Sequence, residues 1–121
     1  MALPSLNDIL SQYDIAEEDL NKECSRDIRC KIALKIIDWQ VTGYCLGIPK
    51  EKIAAIHVDK KTEEQHRIAL LDTWHMREGK KATYSRLIHV LYDQEQCDLV
   101  EILCNLISNE KARKAPNGGG R

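Results

Sequence analysis

Apolar residues recur at intervals of three and four along nearly the whole chain, and no stretch of strand length alternates apolar with polar, so the pattern predicts an all-α protein. Leu6, Ile9 and Leu10 form the stripe of a short first helix over Ser5–Ser11, with Ser5 placed to cap it. An acidic connector follows from Tyr13 to Asn21, with a turn of helix expected near Glu17–Leu20. From Arg26 the rows thicken: Ile28, Ile32 and Ile36 repeat at i+4, as do Ala33 and Ile37, while Cys30, Leu34, Ile37 and Val41 add a second row. So wide an apolar face predicts a long, kinked helix buried between neighbours, running to Leu46 and ended by Gly47 in the left-handed conformation.

Pro49 opens a short helix to Ile56, with Ile53 and Ile56 facing inward. Thr62 with Gln65 three residues later is a capping box, and the helix it starts carries Ile68, Leu71 and Trp74 inward before Gly79 stops it. Ala82–Tyr92 holds the i, i+3, i+4, i+7 pattern without a fault in Tyr84, Leu87, Ile88 and Leu91. Asp93 with Gln96 is read as the cap of a last helix, whose core row is Leu99/Val100, Leu103 and Leu106/Ile107. The count is six helices, which suits one compact bundle over residues 1–110, with a flexible basic and Gly-rich tail at 111–121.

Composition narrows the function class. A chain of 121 residues is one domain, and 43% apolar with 31% charged content is that of a water-soluble globular protein. No apolar run approaches the ~20 residues of a membrane span, so no membrane insertion is expected. The opening Met1-Ala2-Leu3-Pro4-Ser5 lacks a basic-then-apolar signal, and Ala2 excludes myristoylation. Cys24, Cys30, Cys45, Cys97 and Cys104 are odd in number and hold no Cys-x-x-Cys pair, which predicts free thiols and a cytoplasmic location. Cys97 and Cys104 stand too far apart for two ligands of one ion, so no metal is expected. His57, His66, His75 and His89 have no nucleophile or carboxylate at triad spacing, and there is no Gly-rich phosphate loop. The chain is therefore read as no enzyme, with no cofactor.

Two tryptophans carry the aromatic weight of a chain without Phe. Trp39 leads to Thr42-Gly43 and then Leu46-Gly47-Ile48; Leu70-Leu71 and Trp74 lead to Gly79 and Ala82-Thr83, and Val100-Glu101-Ile102-Leu103 closes the series. In this order and spacing, over residues 4–108, the chain resembles the death domain family of the death-fold superfamily. The opening Pro4–Leu10 also looks like that family's first helix, although the 16 residues from Gln12 to Asp27 make a longer connection than most relatives have. The resemblance implies a six-helix antiparallel Greek-key bundle. It also implies a non-enzymatic adaptor that binds other death-domain proteins, copies of itself included, in apoptotic or innate immune signal transduction. The caspase-recruitment and death-effector branches are the alternatives within the superfamily; the two tryptophan frames favour the death domain proper. Trp39 and Trp74, with Leu46, Ile53, Ile56, Leu71, Leu87, Leu91 and Leu103, are expected in the core.

The net charge of −1 hides blocks of opposite sign. Residues 1–23 carry six acidic groups against one Lys, residues 93–110 carry five acidic groups and no basic ones, and a basic run lies between them. That run, Arg77, Lys80, Lys81 and Arg86, and the acidic run Asp93, Glu95, Asp98 and Glu101 each flank a helix–helix turn. They are candidate faces of a head-to-tail contact between domains. The competing reading is of solvated helix ends matched to the helix dipole. Lys50, Lys52, Lys60 and Lys61 form a second basic cluster around the short middle helix, which a solvated loop also explains. A small helical nucleic-acid binder is the rival of another class; a net charge of −1 and two strongly acidic segments argue against a nucleic-acid partner.

Overall fold

In a computed structural model of the chain, which describes residues 4–113, local capping signals decide most helix ends. The helices are α1 (Leu6–Gln12), α2 (Glu17–Leu20), α3 (Arg26–Ala33), α4 (Trp39–Cys45), α5 (Lys50–Asp59), α6 (Glu63–Glu78), α7 (Tyr84–Asp93) and α8 (Cys97–Arg113). A single 3-10 turn, Gly79–Lys81, joins α6 to α7. Ser5 Oγ accepts from the Asp8 N–H at 3.1 Å and starts α1. Thr62 and Gln65 form the reciprocal box at the head of α6, Thr62 Oγ1 accepting from Gln65 N–H at 3.1 Å and Gln65 Oε1 from Thr62 N–H at 3.3 Å. Gly47, at φ 85°, closes α4 as the pattern predicts.

Six helices become eight among the described residues: the long helix expected over Arg26–Leu46 is two, and the turn expected near Glu17–Leu20 is a short helix of its own. The chain leaves α3 at Leu34, and Asp38 begins α4 afresh by accepting the Val41 N–H on its carboxylate at 3.2 Å. A capping carboxylate satisfies one of the new helix's orphan donors, and the β-branched pair Ile36-Ile37 loses little by leaving the helix. The interruption turns both Ile36 and Trp39 into the core. It leaves Ile37 76% exposed, with Leu34 and Val41 also outside, so the second apolar row is surface and not core. Asp93 does not cap the last helix. It is the final residue of α7, and Glu95 takes a left-handed φ of 62° to turn the chain into α8. That turn is closed by Gln96 N–H donating to Leu91 O and Glu95 N–H to Tyr92 O, the pairing of a helix C-terminal motif. α8 continues through Arg113; the remainder of the tail expected at 111–121, from Lys114 onward, lies outside the described residues.

α3 packs on α6 and α8, α4 on α5, α6 and α7, α5 on α6, and α7 on α8, so helices far apart in sequence are neighbours. The nine residues expected in the core are all buried; Ile56, at 8%, is the most open of them. His66 joins this core at 5% exposure, its ring 4.9 Å from that of Trp39. Its Nε2 lies 2.9 Å from Lys60 O and 3.3 Å from His57 O. Carbonyls only accept, so Nε2 carries the hydrogen, and the ring ties the last turn of α5 to α6.

α1 and α2 are fastened onto this bundle, α1 against α8 and α2 against α7. Ile9 and Cys24 are each 1% exposed. Tyr92 OH donates to Pro4 O at 2.7 Å, and Cys24 N–H to Ala82 O at 2.8 Å. Asp19, 3% exposed, accepts from the Ala16 N–H and from Lys111 Nζ, each at 3.0 Å. Burial works against its charge, but those two donors outweigh it and hold the Asp19 carboxyl below the usual carboxylate range. Arg29 completes the joint, donating from Nη1 to Cys24 O at 2.8 Å with Nη2 3.6 Å from Asp72.

Candidate protein-interaction surfaces

The basic corner is built on a rigid turn. Gly79 leaves α6 at φ 59° and ψ −124°, a conformation that favours a residue without Cβ. The 3-10 turn lifts Lys80 and Lys81 outward, and Ala82, with no exposed surface, pins the chain back to the core. Thr83 then caps α7, accepting from Arg86 N–H at 3.3 Å. Arg77 in the last turn of α6, Lys80, Lys81 and Arg86 are all exposed. Arg86 also reaches across to α4, donating from Nη2 to Cys45 O at 3.2 Å. That bond satisfies a carbonyl at the end of α4 and fixes the guanidinium against the corner.

The acidic corner lies at the other end of α7. Asp93, Glu95 and Asp98 are exposed around the α7–α8 turn. Gln94 faces the other way, its Oε1 accepting from Thr42 Oγ1 at 3.0 Å, and so anchors the turn that carries the acids. Glu101 differs from its three companions: it is half-buried and accepts from Tyr13 OH at 3.3 Å, so part of its carboxylate serves to hold the N-terminal segment. Among the described residues, none of Arg77, Lys80, Lys81, Arg86, Asp93, Glu95 and Asp98 makes an ion pair within the chain. Arg86 and Asp93 both lie within α7, seven positions or roughly 10 Å of helix apart, too far for a direct pair between them.

The dipole explanation covers only part of this arrangement. Glu95 and Asp98 sit where the N-terminus of α8 favours acids, and Arg77 where the C-terminus of α6 favours bases. Arg86 in the first turn of α7 and Asp93 at its last residue are each placed against the dipole of their own helix.

The second basic cluster is brought together with an apolar groove that the sequence did not reveal. Lys50, Lys52, Lys60 and Lys61 are exposed around α5. Lys52 and Lys60 border a groove of about 460 Å³ between α5 and α6, floored by Ala55, Ile56 and Ala69. Met76, 83% exposed, lines the same groove.

Burial pushes the Cys24 thiol up to about 12 and the Cys104 thiol up to about 11, so neither is a nucleophile. The described residues hold no cluster of His, Cys, Asp and Glu fit to ligate a metal, and none of their helices is long and apolar enough to cross a membrane.

The model of the Death domain family matches residues 30–107. No curated protein and no solved structure matches the chain. The match begins inside α3, so Pro4–Leu10, which resembles the family's first helix, lies ahead of the matched residues. The six helices within reach of the family model are α3 to α8, and α1 and α2 stand ahead of them. The long connection from Gln12 to Asp27 lies ahead of the matched residues. With well over half of its length matched and its described residues helical without a strand, the chain belongs to the death domain family, an all-α family of protein–protein interaction modules.

Proposed function

We propose that this chain is a cytoplasmic adaptor that assembles by homotypic contact, the basic corner of one death domain docking on the acidic corner of the next. The observation that carries this reading is the pair of oppositely charged, exposed corners at the two ends of α7, which make no ion pair with one another among the described residues. A contact between unlike patches on like domains is heterologous, so it repeats into rings or helical stacks. Signalling platforms of apoptosis or innate immunity are built of such repeats, and we assign the chain to that class of signal transduction without catalysis of its own. Charge pairs at the rim of such a contact govern association rate and partner choice, and salt screens them. Arg77, Lys80, Lys81 and Arg86 form the basic face. Asp93, Glu95 and Asp98 form the acidic face, with Glu101 contributing from its edge.

The test is charge reversal, read by light-scattering mass at low and high salt. Lys80→Glu with Lys81→Glu is expected to weaken the salt-sensitive association well below that of the parent while circular dichroism stays helical. Asp93→Lys with Asp98→Lys is expected to do the same, and an equimolar mixture of the two variants to restore assembly. Unchanged assembly in either folded variant refutes the contact.

A further inference from the structure

We propose that the groove between α5 and α6 receives the acidic α1–α2 ridge of a second copy, a contact that the family's six helices alone do not provide. This rests on the reading of the chain as a module that binds its own kind. Apart from Arg77, which borders the groove and also belongs to the basic corner, it uses different residues from the α7 corners.

The groove offers an apolar floor and a positive rim. Met76 is 83% exposed, the most open large apolar side chain among the described residues. Lys52, Lys60 and Arg77 border the groove against one carboxylate, Asp59, so its rim is net positive. A surface of this kind gains from a partner that is acidic and presents a little apolar area.

The chain carries such a partner on other elements. Asp14 turns the backbone between α1 and α2 at a left-handed φ of 55°, and Asp14, Glu17 and Glu18 are all exposed on the reversal. Ile15 beside them is half-buried, leaving apolar surface at the crest. The ridge is held in shape before any contact. The Ala16 N–H and Lys111 both bond Asp19, while Tyr13 is fixed to Glu101. A preformed ridge loses little conformational freedom on docking. The ridge packs on α7 and α8 and the groove lies between α5 and α6, so the contact joins unlike surfaces of two copies and repeats.

Sedimentation velocity on the full chain tests this in a background that lacks the α7 corner contact, Lys80→Glu with Lys81→Glu. The background chain is expected to retain a weaker, salt-sensitive self-association. Adding Lys52→Glu with Lys60→Glu, or instead Glu17→Lys with Glu18→Lys, is expected to weaken it by about tenfold or more. All four positions are exposed, so helical circular dichroism is expected to persist. An equimolar mixture of the two is expected to recover the background affinity, because each then meets opposite charge. A background chain that is monomeric at low salt overturns the second copy as occupant and leaves the groove to an acidic partner of another sequence. Association unaffected by either pair, or not recovered on mixing, overturns the contact itself. Association of the Lys80→Glu, Lys81→Glu chain equal to that of the parent refutes the corner contact instead, so the two failures are told apart.

Discussion

Gly43 lies inside α4 where that helix crosses α5 and α6, and replacing it with Ala sets two known effects against each other. A Cβ built there falls 2.7 Å from Leu70 Cδ1 and 2.9 Å from Ile53 Cδ1. Carbon atoms in contact sit at about 3.5–4.0 Å, so the new methyl overlaps both neighbours by roughly 1 Å. Leu70 has no exposed surface and Ile53 is 2% exposed, so neither side chain has solvent to retreat into. Forcing a methyl into a filled core costs about 1–3 kcal/mol. Against this, Ala is favoured over Gly in a helix interior by about 1 kcal/mol. The overlap is double and buried, so overpacking wins, with a net loss of about 1 kcal/mol. For a domain near this size that lowers the melting temperature by about 4–8 °C.

Differential scanning calorimetry or a urea titration measures this directly, and a second substitution isolates the cause. Ile53→Val deletes Cδ1, one of the two atoms in the way. Alone it costs about 0.5–1.5 kcal/mol as a small cavity. Combined with Gly43→Ala it is expected to cost less than the sum, with a favourable coupling above about 0.5 kcal/mol, because the new methyl fills the space that Cδ1 vacates. A Gly43→Ala chain as stable as the parent refutes the overlap argument, and strict additivity with Ile53→Val refutes its assignment to that contact.

Two further perturbations probe the N-terminal segment and the core. Asp19→Asn removes the anion that holds α2 to Lys111 and is expected to destabilise by about 1–3 kcal/mol at neutral pH in urea unfolding. The Asp19 carboxyl titrates lower in the fold than in the unfolded chain, so its contribution is complete above the ordinary carboxylate range and is lost as pH falls from that range through the lowered native value. The gap between parent and Asp19→Asn is expected to shrink steadily below about pH 4, and a gap of constant size through the acid range refutes the ionic account. Among the free thiols, Cys45 is exposed while Cys24 and Cys104 are buried. An aromatic disulfide reagent is therefore expected to modify Cys45 in the native chain, with Cys24 and Cys104 reacting only at the rate of global opening. Prompt modification of Cys24 counts against the joint that Arg29 and Ala82 make around it.

Signals that act within one helical turn were legible in the sequence, and signals that depend on a distant partner were not. The capping box at Thr62, the cap at Ser5 and the stop at Gly79 each need only residues three or four positions away, and each stands in the structure. The break between α3 and α4 is of the other kind. Periodicity alone carries Ile37 inward with Ala33, and only the choice of Ile36 and Trp39 as the pair to be buried decides otherwise. The ties that dock the N-terminal segment span up to 97 residues, from Asp14 to Lys111, and nothing in the linear pattern links their ends. Tyr13 and Glu101 are 88 residues apart, which is why Glu101 read as one more surface acid. His66 was read only for what it lacked, whereas its ring is part of the stack on Trp39.

The candidate surfaces were legible for a physical reason that differs from the one that made the helices legible. α7 has the most regular apolar row in the chain, and Arg86 and Asp93 stand at its ends. A helix free to choose its terminal charges places acid first and base last. α7 carries the reverse, at a cost of a few tenths of a kcal/mol at each end. Within the chain Arg86 serves the end of α4 through the Cys45 carbonyl, whereas Asp93 makes no ion pair among the described residues. The groove escaped the sequence because its parts, Lys52 and Lys60 on α5 and its border and Met76 on α6, lie on two helices whose crossing is set by the core beneath them.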